Sequence, residues 1–273
     1  MMTNSTPDIR AHFGLHTTPF TREMPITSRF KHPEHDAVVN ALTQAVGARM
    51  SAVLIAPAGT GKSVVIRSMM DELPESRYRL HYIHVADLSK RDFARHLAIS
   101  IGAKPAGHVG ALIRAIQDRT STLVTQDALR PTIIIDEAHD MRPEVLGLLR
   151  LLTNFEVDSK LVISIILVGQ PPLKQLLLRD DMSAIRGRLS RIATLRTLTR
   201  DESYLYLTHR SEIAGATTSL FDSNALDAMY QIAQGNLRAL NKIAFNTLHE
   251  AAADGQTVCG TEHVLRARKG AFL

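Results

Sequence analysis

Two kinds of hydrophobic spacing divide the chain. As far as about residue 198, short apolar runs alternate with stretches in which apolar residues return every three or four positions; beyond it only the second kind continues. The runs are Ala52-Val53-Leu54-Ile55, residues 79–86 (RLHYIHVA), Thr132-Ile133-Ile134-Ile135, residues 161–168 (LVISIILV) and Ile192 to Leu198. They predict strands, and the three successive isoleucines suit a strand buried on both faces of a parallel sheet. The longer spacing predicts helices at Asp36 to Met50 (Val38, Leu42, Ala45, Val46) and after residue 62 (Val65, Ile66, Met69, Met70, Leu73). Further helices are predicted after Ser89 (Phe93, Leu97), around Leu112, Ile113 and Ile116, from Pro143 to Phe155 and from Leu173 to Arg179. Ser89 with Asp92, and Thr199 with Glu202, carry the capping-box pattern. From Thr199 on, four helices follow one another at roughly 200–214, 223–234, 236–253 and 261–268, punctuated by Gly215, Gly235 and Gly255. The predicted architecture is an α/β core over residues 1–198, a parallel sheet with helices on both faces, of which 1–11 form a loose tail. A small all-helical lid follows over 199–273.

The first strand runs into Ala56-Pro57-Ala58-Gly59-Thr60-Gly61-Lys62-Ser63-Val64 and then a helix. Strand, glycine turn and helix is the context a phosphate-binding loop requires, because successive backbone N–H groups turn inward and the helix N-terminus adds its positive end. Pro57 to Val64 are therefore the candidate nucleotide contacts. Lys62 reaches toward the β- and γ-phosphates of ATP, and the Ser63 hydroxyl is a candidate Mg²⁺ ligand. The usual pattern begins with Gly where this chain has Ala56, which predicts a slightly altered loop.

The isoleucine strand ends in Asp136-Glu137, at the carboxyl edge where open α/β sheets bind ligands. Asp136 is expected to hold Mg²⁺, directly or through water, and Glu137 to polarise the attacking water. Asp136-Glu137-Ala138-His139 also spells a helicase box, but a helicase of that class needs two such domains and this chain is too short for them. Gln170, after the fourth run, is a candidate sensor of the γ-phosphate, or else part of a Gly-Gln-Pro turn. Arg186, Arg188, Arg191, Arg196 and Arg200 follow within fifteen residues.

Composition narrows the class. The 273 residues are 45% hydrophobic and 22% charged, ordinary globular proportions. No apolar run approaches the ~20 residues of a membrane span, the N-terminus lacks a signal-peptide core, and the single cysteine, Cys259, excludes an internal disulfide. A cytoplasmic protein is expected. The net charge of +5, beside a nucleotide site, raises the prospect of a nucleic-acid partner.

These pieces resemble the AAA+ ATPases, and more closely the bacterial ExeA-like ATPases and the transposition helpers of the TniB, TnsC and IstB type. The resemblance covers Phe13 to about Ala267. It rests on residues 13–20 (FGLHTTPF), 56–63 (APAGTGKS), 132–141 (TIIIDEAHDM), 149–158 (LRLLTNFEVD), 167–173 (LVGQPPL), 188–202 (RLSRIATLRTLTRDE) and 235–240 (GNLRAL). It implies that Gln170 is the first sensor, that Arg238 is the second, on the lid, and that Arg188 reaches the γ-phosphate of a neighbouring subunit, with Arg186 and Arg191 as alternatives. A finger supplied in trans implies self-association into a ring or helical filament. His12 to Phe20 reads as an arm packed on the core or as a wall of the adenine pocket.

ExeA-type proteins carry a transmembrane segment and a cell-wall-binding region after the ATPase, and neither is visible in this sequence. The leading expectation is therefore an ATP-dependent transposition helper that binds duplex DNA with low sequence specificity, recruits a transposase and does not engage a membrane. Lys90, Arg91 and Arg95, at and after a predicted helix start, are the candidate DNA contacts; an ordinary solvated helix face is the alternative. Two other readings stand beside this one: a secretion or envelope-assembly ATPase, and a nucleotide-switched interaction module that hydrolyses little.

Overall fold

A computed structural model describes residues 8–85, 87–153 and 162–270. Five strands, β1 (Ser51–Ile55), β2 (Tyr78–His84), β3 (Arg130–Asp136), β4 (Ser164–Gly169) and β5 (Leu189–Thr194), form one all-parallel sheet in the order β2-β3-β4-β1-β5. The helices are α1 (Ile9–Phe13), α2 (Pro33–Gly47), α3 (Lys62–Glu72), α4 (Lys90–Ser100), α5 (Val109–Thr125), α6 (Pro143–Leu152), α7 (Pro172–Leu178) and α8 (Ser183–Arg186). After β5 come α9 (Arg200–Ile213), α10 (Ser223–Ala233), α11 (Leu237–Ala253) and α12 (Thr261–Lys269).

The chain divides into two compact units. One comprises His32–Ala58 with Lys62–Leu195 and holds the sheet. The other takes the chain up to Lys31, Gly59–Gly61 and everything from Arg196 on, and is helical. In the sheet unit, side-chain alternation on β3 sends Ile133 and Ile135 to one face, with Phe93, Leu97, Leu112, Ile116 and Leu146. Ile134 goes to the other, with Leu42, Val46, Ile66 and Met69. Both faces are dry, which is why β1, β3 and β4 read as unbroken apolar runs. In the helical unit, Leu207, Met229, Leu240, Ile243 and Leu248 are fully buried.

Several expectations shift. Residues 8–11 are not loose: Asp8 caps α1 through the Arg10 N–H, and Ile9 is buried. His16 and Thr17 donate backbone N–H groups to Ala214 O, and the Phe20 and Phe221 rings lie 5.9 Å apart, so the arm packs within the helical unit. The last strand begins at Leu189 and ends at Thr194, because its ladder with β1, Ser51↔Leu189 to Ile55↔Thr194, is no longer than β1 itself. α2 starts at Pro33, three residues early, since Pro fits the first helical turn. At α4 only half the capping box forms: the Ser89 side chain accepts from Asp92 N–H, but Asp92 reaches back only to the Ser89 hydroxyl (2.6 Å). The box at α9 is complete. Ala86, Asn154, Phe155 and Leu161 lie outside the described residues.

Candidate active site

The strand order reverses between β1 and β4, and their carboxyl ends open a crevice where α/β sheets take ligands. Ala56 extends the ladder there. Its N–H donates to Gly169 O (3.0 Å), its side chain is buried, and its backbone is not left-handed. Glycine's freedom is not needed at 56, which accounts for the altered first letter. It is needed at Gly59 (φ +77°) and Gly61 (φ +100°). A side chain on Gly59 would also collide with the Asn236 amide.

Lys62 opens α3, and its buried stem carries Nζ to Ala56 O (3.1 Å) and Pro57 O (3.2 Å). The ammonium is thus held at the mouth of the loop by the loop's own carbonyls. Ser63 is exposed in the first turn of α3, followed by half-buried Val64. Within the helical unit, the Arg238 N–H donates to Gly59 O (3.2 Å) and to the capping Asn236 Oδ1 (3.1 Å), and Arg238 is exposed.

At the end of β3, Asp136 is buried and both its oxygens accept hydrogen bonds, Oδ1 from the Glu137 N–H (2.8 Å) and Oδ2 from the Tyr82 hydroxyl (2.5 Å). Glu137 adopts φ +55°, ψ 36°, a left-handed conformation that costs a side-chain-bearing residue about 1–3 kcal/mol. The turn sends the Glu137 chain away from the strand line. Its Oε2 is buried and takes no hydrogen bond among the described residues. The nearest ring atom is His139 Nδ1, 3.3 Å away, which itself accepts the Gln170 N–H (3.4 Å). Gln170 follows directly on β4 and shares the carboxyl edge with Asp136.

The arginines are elsewhere. Arg188 precedes β5, whose first residue pairs with Ser51, so it lies at the amino edge, roughly 13 Å, or four strand steps, from the loop end of β1. Its Nη1 donates to Ala184 O (2.9 Å). Arg186 is held by Leu177 O (2.9 Å) and Arg179 O (3.5 Å), while Arg191 is exposed on the edge strand. Lys90, Arg91 and Arg95 stand exposed on the outer side of α4.

Residues 46–177 match the AAA domain family. Cdc6p from Pyrobaculum aerophilum superposes with a TM-score of 0.73 at 19% identity, covering 92% of this chain and 70% of that one. The Aeropyrum pernix ORC1 protein, solved in complex with DNA, gives 0.67 at 19% identity, over 90% of this chain and 68% of that one. Residues 46–177 carry an AAA domain, and the α/β fold around it is that of the AAA+ ATPases. The chain is also 30% identical over 206 residues to General secretion pathway protein A from Aeromonas hydrophila; these are 74% of this chain but only 37% of that relative's length.

The donors present suit the nucleotide and metal such ATPases use. A loop with two left-handed glycines, a fixed ammonium, a helix-start hydroxyl and a strand-end carboxylate are hard, anion-binding and oxygen-donating groups. Among the described residues no three His, Cys, Asp or Glu side chains gather into a metal cage. The Ser63 hydroxyl and the Asp136 carboxylate are the hard oxygen donors that Mg²⁺ takes together with phosphates. Sequence reasoning missed two participants, Tyr82 and His139. The first could be found only by knowing that the second predicted strand lies beside the third.

Proposed function

We propose that this AAA+ ATPase hydrolyses ATP at the interfaces of a homo-oligomer and works in a secretion or envelope-assembly apparatus. The observation that carries the reading is the 30% likeness to General secretion pathway protein A over 206 residues. Because this chain spans about a third of that relative, the apparatus and the partners are part of the proposal. Bound MgATP supplies the γ-phosphoryl group and the metal charge that neutralises it. Lys62 and the Gly59–Gly61 amides bind the phosphates; Ser63 and Asp136 hold the metal. Glu137 accepts a proton from the attacking water, Gln170 orients the γ-phosphate side, and residues 199–273 act as the lid carrying Arg238. Arg188, at the far edge of its own sheet, serves the neighbour's nucleotide, with Arg186 committed to holding the end of α7.

The second reading, a transposition helper acting on duplex DNA in the cytoplasm, draws on the net charge of +5, the exposed Lys90, Arg91 and Arg95, and the DNA-bound ORC1 relative in fold. A transposase partner draws no support from the relatives named above. No helix among the described residues is long and apolar enough to cross a membrane. ATP turnover measured at low salt with and without duplex DNA separates the two readings. Turnover indifferent to DNA, with lost export or envelope assembly on deleting the gene, is expected. DNA-stimulated turnover with intact export overturns the first reading in favour of the second. ATP binding with no measurable turnover points instead to a nucleotide-switched module.

A further inference from the structure

Asp136 is gripped from two directions, by a donor on the turn after β3 and by a donor on β2. The Glu137 N–H comes from its own chain direction, and the Tyr82 hydroxyl comes from β2. Tyr82 pairs with Ile134, so the parallel register sets its side chain on the same sheet face as Ile134 and, two residues on, Asp136. β2 is an edge strand, and Tyr82 is 47% exposed, too open for packing alone to fix it. Its polar tip is nonetheless aimed at a buried carboxylate at 2.5 Å. An ionised carboxylate only accepts, so the Tyr82 hydroxyl is the donor of this pair.

A carboxylate that shares a metal with phosphates must present one lone pair in a set direction, and donors that take its other lone pairs provide that. We propose that Tyr82 is a positioning residue for the metal: its hydroxyl fixes the plane of the Asp136 carboxylate, so that Asp136 meets Mg²⁺, or the water on it, in one orientation. This rests on the ATPase reading above. Phenylalanine at 82 keeps the ring and removes only the hydroxyl. The readout is Mn²⁺ binding to the protein–ADP complex, followed by electron paramagnetic resonance, together with the Mg²⁺ dependence of ATP turnover.

Tyr82→Phe is expected to weaken Mn²⁺ binding about 10-fold and to raise half-saturating Mg²⁺ by a similar factor. Metal-free ADP affinity should stay near wild type. Unchanged Mn²⁺ affinity, with or without altered turnover, overturns the role of Tyr82. A wild-type protein that neither binds ADP nor turns over ATP overturns the ATPase reading instead, and the two failures are therefore distinct.

Discussion

Lys62 and Glu137 perform different tasks at the same edge of the sheet, and their removal should separate binding from chemistry. Lys62 brings a charged donor to the loop mouth on a buried stem. A hydrogen bond to a charged partner contributes about 1.5–3 kcal/mol, so Lys62→Ala should weaken ATP about 10- to 100-fold, read by titration with a fluorescent nucleotide. Glu137 Oε2 is buried and open to a donor, so Glu137→Gln keeps the shape and loses the base. Turnover should fall by about 10²–10⁴ while ATP binding persists; retained turnover would remove Glu137 from its role. Cys259, wholly buried in the helical unit, offers a folding control. Burial, then Asp222 and Glu262, push its thiol up to about 12. A thiol reagent at pH 8 should find it unreactive until denaturant opens that unit.

At the scale of elements, caps and strand lengths decide what the sequence reveals. α9 starts with a full box: Thr199 Oγ1 accepts the Glu202 N–H (3.3 Å), Glu202 Oε2 accepts the Thr199 N–H (2.7 Å), and Arg196 grips the same carboxylate (2.7 and 2.9 Å). Thr199→Ala should cost about 1 kcal/mol, measured as a shift in the denaturant midpoint without a change in slope. Elements of this kind were legible: β1, β3 and β4 announce themselves because neither face meets water, and the lid-region helices because their caps and glycines are standard. α1 was not, since five residues with a single buried side chain carry no period. The end of β5 is obscured because Leu195 and Leu198 are buried beyond the last ladder pair, Ile55↔Thr194, each in a different cluster. In the site, the loop and the acidic pair follow from local order. Tyr82 and His139 depend on strand neighbours and a turn conformation, which local order does not encode.

For the whole molecule, the decisive feature is that Arg188 and the phosphate loop occupy opposite edges of one parallel sheet. Ser51↔Leu189 pairs at the amino edge and Ile55↔Thr194 at the carboxyl edge, so no side-chain rotation brings Arg188 to its own Lys62. If Arg188 neutralises charge in the transition state, it does so for another copy, and such fingers contribute ~10³–10⁵ in rate. A heterologous interface of that kind gives each subunit one nucleotide and one finger. Arg188→Ala and Glu137→Gln should therefore each be nearly inactive alone, for opposite reasons. The first keeps its base and lacks the finger it owes its neighbour; the second keeps the finger and lacks the base. Mixed in equal amounts, they create interfaces in which an intact Glu137 faces an intact Arg188, and turnover should rise well above either parent. Arg191→Ala mixed in the same way tests the exposed alternative on the edge strand. Turnover in the Arg188→Ala and Glu137→Gln mixture that stays at the mean of the two parents would show that Arg188 does not serve a neighbour's site.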